Sequence, residues 1–256
     1  MNPATAADMY NTAVGASAGL SVTTGTNNTL IGGLAGDALT DADLNVAVGD
    51  NALSADTLGS RSTAIGRSAL SSQNFTTATD TYNTAVGFNA GTAITTGTRN
   101  TIVGGLAGDS LTTGQKNVAI GTGALSDDDV GSRSVAVGDS ALAAQNFATA
   151  TDTYNTAVGN NAGLAVTTGV RNVLIGGLAG DALTDADINV AVGYQSLSAD
   201  TLGSRSVAIG PFALQAQNFT TATSSYNVAV GADAGLSVTT GTFATLVGGL
   251  AGDSLT

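Results

Sequence analysis

A nine-position motif, Asn-[Thr/Val]-[Ala/Leu/Ile]-[Val/Ile]-Gly-x-x-Ala-[Gly/Leu], recurs along the whole chain, with small substitutions such as Ser196 for the Ala. Its first glycine falls at Gly15, Gly32, Gly49, Gly66, Gly87, Gly104, Gly121, Gly138, Gly159, Gly176, Gly193, Gly210, Gly231 and Gly248. The intervals run 17, 17, 17 and 21 residues and then repeat, which groups the copies into 72-residue units: 11–82, 83–154, 155–226 and a partial 227–256. Residues 1–10 match the end of a preceding copy. A period this short holds no pair of packed helices and is too regular for a sandwich. Stacked copies of one small unit, a single repeat domain over 1–256, are the expected result.

The residue before each motif glycine is Val or Ile in all fourteen copies, and two places earlier stands Thr or Val. β-Branched residues at alternate positions predict a short strand. The intervening residue is also apolar, as in Ala13, Leu30, Ala47 and Ile102, so both faces of that strand avoid water. One face is expected to line the interior of the coil and the other to meet a second chain. The fold class is therefore all-β: a parallel β-solenoid of about fourteen rungs of 17/17/17/21 residues, associated as an intertwined or side-by-side homotrimer. At ~4.8 Å per rung the rod is roughly 65 Å long.

The asparagine that opens the motif stands at Asn11, Asn28, Asn45, Asn83, Asn100, Asn117, Asn155, Asn172, Asn189 and Asn227, with Ser62, Ser134, Ser206 and Ala244 in the other copies. Stacked on successive rungs, these amides are expected to form a structural ladder of hydrogen bonds along the rod. The motif glycines, and those four places later such as Gly19 and Gly36, suit tight corners. A phosphate-binding reading of the glycines needs a following helix that nothing signals. The four extra residues of each fourth rung fall within 71–82 and are expected to bulge outward. Phe75, Phe147 and Phe219, like Tyr10, Tyr82, Tyr154 and Tyr226, recur at 72-residue spacing and are expected to serve packing.

Composition narrows the chemistry. The chain has no Cys, His or Trp, which removes disulfides, thiolate or imidazole metal sites and Ser-His or Cys-His nucleophilic pairs. Seven basic against nineteen acidic residues, a net charge of −12, argue against a nucleic-acid surface. Every acidic residue is Asp, the choice for turns rather than helices. No apolar run approaches the ~18 residues of a membrane span, and Met1-Asn2-Pro3 lacks the start of a secretory signal. No enzyme is expected, and no membrane insertion.

Asn11-Thr12-Ala13-Val14-Gly15-Ala16-Ser17-Ala18 and Asn45-Val46-Ala47-Val48-Gly49-Asp50-Asn51-Ala52 resemble the head repeat of YadA-like trimeric adhesins, and similar arrays occur in phage tail fibres. The likeness spans essentially the whole chain. It implies a left-handed parallel β-roll, three chains about a threefold axis, and a role in attachment at a virion or cell surface. The Thr-Thr-Gly turns at 23–25, 95–97, 167–169 and 239–241 favour the phage-fibre arrays, hence a virion or extracellular fibre shaft that spaces or presents receptor-binding elements. A bacterial surface adhesin head is the alternative. Thr5-Ala6-Ala7-Asp8-Met9-Tyr10 matches the tail of a fourth rung and Leu255-Thr256 stops partway round one, so the segment is expected to continue into other fibre or virion proteins. An ice-binding solenoid is a remote reading, because matched Thr-Thr pairs align chiefly every fourth rung.

Candidate sites are few. The position after the motif glycine varies freely in size and charge and reads as an exposed corner; Phe88, Tyr194 and the adjacent Phe212 break the 72-residue pattern there and are candidates for stacking on a host surface glycan. Asp37, Asp41 and Asp43, repeated as Asp181, Asp185 and Asp187, offer oxygen ligands for Ca²⁺, although Thr113 and Gln115 in the middle unit make turn capping the favoured reading. Asp127-Asp128-Asp129 reads as a solvated loop, and Arg61, Arg133 and Arg205 as partners of neighbouring Asp residues. No catalytic residues are assigned.

Overall fold

The structure is a computed structural model that describes residues 8–256. Residues 1–7, with most of the segment matched to a preceding rung, lie outside the described residues. Among the described residues there are strands and turns but no helix. Fourteen three-residue strands, one per motif copy from Thr12–Val14 to Thr245–Val247, form a single sheet in chain order. Every neighbouring pair is parallel and in register, so Thr12 lies beside Thr29, Ala13 beside Leu30 and Val14 beside Ile31. The chain winds as a β-solenoid of about fourteen rungs.

The alternation within each strand separates the two faces. The middle residue points inward, where Leu30, Ala47, Ile102 and Leu174 are fully buried. The flanking Thr/Val and Val/Ile residues point outward. Asn, one place before each strand, also turns inward and is buried in the central rungs.

Glycine is obligatory at the end of each strand. All fourteen motif glycines have φ between 126 and 144°, a region closed to other residues. They stack directly: a Cβ on Gly104 would overlap the carbonyl oxygen of Gly121 one rung on. This column lets the backbone of successive corners approach as closely as the strands do.

Side-chain volume in the core is shared out between positions over four rungs. The first rung of each unit combines Ala at mid-strand, Gly four places after the motif glycine, and Val or Ile three places further on, as in Ala85, Gly91 and Ile94. The second has Leu or Ile at mid-strand, and its Gly leaves room for that side chain; a Cβ on Gly36 would press on Leu30 and Leu39. The third and fourth rungs return to Ala at mid-strand and fill the space from the other side with Leu53 and Leu70, both buried and both at positive φ. Large and small residues thus alternate along the axis to keep one coil diameter.

The inserted residues of the fourth rung do expose a loop, Thr76 to Ala78, before Thr79–Asp80 pairs in parallel with Gly59–Ser60 of the rung below. Phe75 is 7% exposed, tucked under this loop, and Phe147 and Phe219 repeat it. The tyrosines of the super-repeat differ from expectation. Tyr82 and Tyr154 are each half exposed, because they precede the buried asparagine at a left-handed turn (φ 53 and 52°) that directs the ring to solvent.

Candidate functional site

The outer face of the large sheet is the most extended feature of the surface. Its last column runs Val14, Ile31, Val48, Ile65, Val86, Val103, Ile120, Val137, Val158, Ile175, Val192, Ile209, Val230 and Val247 without a polar interruption. Beside it runs the Thr/Val column. Ile65, Ile120, Ile175 and Ile209 are each 38% exposed, mid-rod, in a single chain. Apolar groups normally withdraw from water, so a continuous partly exposed row of them along one sheet is the feature of this surface that most needs an explanation.

The inner face carries the asparagine ladder, built differently from the expected amide-to-amide chain. Each Asn Oδ1 accepts from the backbone N–H of the next rung's motif residue, and each Nδ2 donates to a backbone carbonyl fourteen residues on. Asn28 N donates to Asn11 Oδ1 at 2.7 Å, and Asn28 Nδ2 to the Ala42 carbonyl at 2.7 Å. The backbone supplies the partners because the turn before each strand leaves these groups without strand neighbours. The same geometry carries through Asn45, Asn83, Asn100, Asn117, Asn155, Asn172, Asn189 and Asn227.

Where serine replaces asparagine, a buried polar cluster takes over. Gln73 Nε2 donates to Asp56 Oδ2 (2.6 Å) and Ser62 Oγ (2.8 Å), Gln73 Oε1 accepts from Asn83 Nδ2 (2.8 Å), and Asp56 Oδ1 accepts from the N–H groups of Gly59 and Phe75. Asp128 with Gln145, and Asp200 with Gln217, repeat the pair. The solvated-loop expectation for residues 127–129 is therefore corrected: Asp127 and Asp129 are exposed, whereas Asp128 is fully buried and paired. Burial pushes the carboxyls of Asp56 and Asp128 upward from the ordinary 3.8, against the lowering effect of their donors. These residues occupy the core column filled by Val22 and Leu39 in the first two rungs. Their 72-residue recurrence at an otherwise apolar position was the signal that reading by loops alone overlooked.

The acidic turn residues are not gathered. Asp41 Oδ1 accepts from Thr24 Oγ1 (2.5 Å), and Asp43 Oδ1 from Thr26 N (2.7 Å) and Oγ1 (3.0 Å), in each case from the preceding rung. Asp185 and Asp187 receive Thr168 and Val170 likewise. Asp37 and Asp181 stand apart from these pairs, each with one buried oxygen that has no hydrogen-bond partner. Among the described residues no three acidic side chains converge as a metal site. The aspartates act between rungs as well as within turns.

Of the aromatic candidates, the structure joins Tyr194 and Phe212, whose rings meet edge to face at 5.5 Å. Phe88 lies six rungs away, with the Arg67 guanidinium 5.7 Å from its ring centre. The three do not form one patch. Arg61 pairs with Asp80 at 2.9 Å and Arg133 with Asp152 at 2.8 Å, and each lies over the following tyrosine, Tyr82 or Tyr154. The third unit departs from this: Ser224 stands in place of the Asp, and Arg205 rests on Tyr226 alone. Among the described residues the rod has no pocket.

The chain matches no protein-family model, no curated protein and no solved structure.

Proposed function

We propose that this chain is a shaft segment of an extracellular attachment fibre, most simply a virion appendage, in which three copies associate through the outer faces of their large sheets. The single observation that carries the reading is the unbroken Val/Ile column along that face. Fourteen in-register rungs make it continuous from one end of the sheet to the other, so it is suited to a partner of the same period, and another copy of the chain meets that requirement without further design. The core is closed by backbone hydrogen bonds at every rung, which suits a rigid spacer. The exposed corners, tolerant of Phe, Arg, Asp and Pro, leave room for contacts with a host surface.

Mass measurement in solution tests the assembly, and imaging of the native particle tests the location. The expected result is a three-chain particle that Ile120→Asp combined with Ile175→Asp converts to single chains without loss of β-structure. A wild-type single chain overturns the reading.

A further inference from the structure

Six of the seven basic residues of this acidic chain stand in one column. The residue before the motif Asn or Ser is, rung by rung, Tyr10, Asn27, Leu44, Arg61; Tyr82, Arg99, Lys116, Arg133; Tyr154, Arg171, Ile188, Arg205; Tyr226, Phe243. Every one of these has positive φ, from 50 to 66°. The left-handed turn lies next to the inward asparagine and sets the side chains on the outside of the rod. Contacts between consecutive members confirm that they form a physical row: Arg61 over Tyr82 at 5.9 Å, Arg133 over Tyr154 at 5.6 Å, and Tyr226 stacked on Phe243 at 5.4 Å.

The middle unit stands out. Against residues 24–44 of the first unit, the equivalent stretch has Arg99 for Asn27, Thr113 for Asp41, Gln115 for Asp43 and Lys116 for Leu44. These four changes each move the local charge in the positive direction, and the other differences in the stretch exchange uncharged residues. The third unit keeps Asp185, Asp187 and Ile188, so only the middle one places three cations on consecutive rungs, bracketed by exposed tyrosines. Arg133 is paired with Asp152, whereas Arg99 and Lys116 have no ion-pair partner among the described residues. The row from Tyr82 to Tyr154 crosses five rungs, about 19 Å at the usual strand spacing.

We propose that Tyr82, Arg99, Lys116, Arg133 and Tyr154 form a docking strip for an extended acidic polysaccharide, its carboxylate or sulfate groups on the cations and its sugar rings on the tyrosines. Two arguments select this occupant. A rung spacing close to the length of one pyranose unit presents a cation to each successive sugar. A second copy of the chain, packed in parallel register, would meet equivalent rungs in every unit, whereas three cations on consecutive rungs occur in the middle unit alone. The strip occupies a different column from the Val/Ile residues and from Phe88, Tyr194 and Phe212, and the proposal does not rest on the assembly proposed above.

The test uses the full chain in its native assembly with three probes: heparin, polygalacturonate and neutral dextran. Binding to heparin or to polygalacturonate, and not to dextran, is expected, the two acidic probes separating sulfate from carboxylate recognition. Arg99→Asn with Lys116→Leu restores residues that the same fold carries in its first unit, and is expected to weaken binding about tenfold or more while leaving the thermal midpoint unchanged. Arg171→Asn, in the third unit, is expected to change it less than about twofold. Unchanged affinity in the double variant, equal binding of dextran, or an equal loss in Arg171→Asn overturns the proposal. So does a change in particle mass in the double variant, which would make the row a contact between chains. Particle mass of the wild type reports on the assembly independently.

Discussion

Gln73 Nε2 reaches Asp56 Oδ2 across 2.6 Å and joins two consecutive rungs inside the coil, at positions where the rungs before them carry Val22 and Leu39. A polar pair therefore replaces apolar packing at the same column in every super-repeat. It does so beside the insertion, where Phe75 N–H and Ser62 Oγ need partners that a leucine would not supply.

Gln145→Leu is expected to destabilise the rod by about 2–4 kcal/mol, since it leaves the buried Asp128 carboxylate and the Asn155 amide each without one partner. Chemical denaturation gives the value. A change below about 0.5 kcal/mol, typical of an exposed site, contradicts the role assigned to the cluster.

The raised carboxyls of Asp56 and Asp128 give a pH dependence of definite sign. The folded state holds these protons more tightly than the unfolded chain, so their contribution is fully present below 3.8 and is lost as pH rises through the folded-state values. Lowering the pH from 7 toward 4 is expected to raise the thermal midpoint. Relief of repulsion in a chain of net charge −12 acts in the same direction, and Asp128→Asn separates the two: the variant should retain a smaller slope. An unchanged slope removes Asp128 from the account.

Two adjacent glycines should respond in opposite ways. Gly104→Ala places a Cβ onto the Gly121 carbonyl at φ +138°, with an expected cost of about 3 kcal/mol or more. Gly105→Ala meets nothing within 4 Å and should stay within about 0.5 kcal/mol. Similar midpoints for both variants would show that the stacked column is not tightly held.

Asn117→Ala removes an acceptor from Ser134 N–H (2.8 Å) and a donor from the Gly131 carbonyl (2.8 Å), both buried. A loss of about 2–4 kcal/mol is expected. Asn11→Ala, in a part-buried first rung, should cost less. Equal effects at both ends of the comparison contradict a ladder whose strength depends on burial.

The solenoid was legible in the sequence because its cause is periodic. Val or Ile before every motif glycine fixes the strand, and the glycine fixes the corner. The inward asparagine could be read as a ladder, but not its partners, since the backbone groups it satisfies become free only when the preceding turn takes a left-handed conformation. Asp128 was misread because its neighbours Asp127 and Asp129 are solvated, and three charges in a row resemble a loop unless the column is followed from rung to rung. Arg99 and Lys116 escaped notice for a related reason: they lie seventeen residues apart, and become neighbours only once the rungs are stacked. Tyr82 recurs as regularly as Phe75, yet one is exposed and the other buried. Recurrence shows that a position is part of the repeat without saying which side of the backbone it occupies.

The mass of the native particle tests the central claim most directly, that the Val/Ile face joins copies of this chain into a rod. Native mass spectrometry or sedimentation should give three times the 24.7 kDa chain mass for the wild type. Particles at the single-chain mass across micromolar concentrations would contradict it.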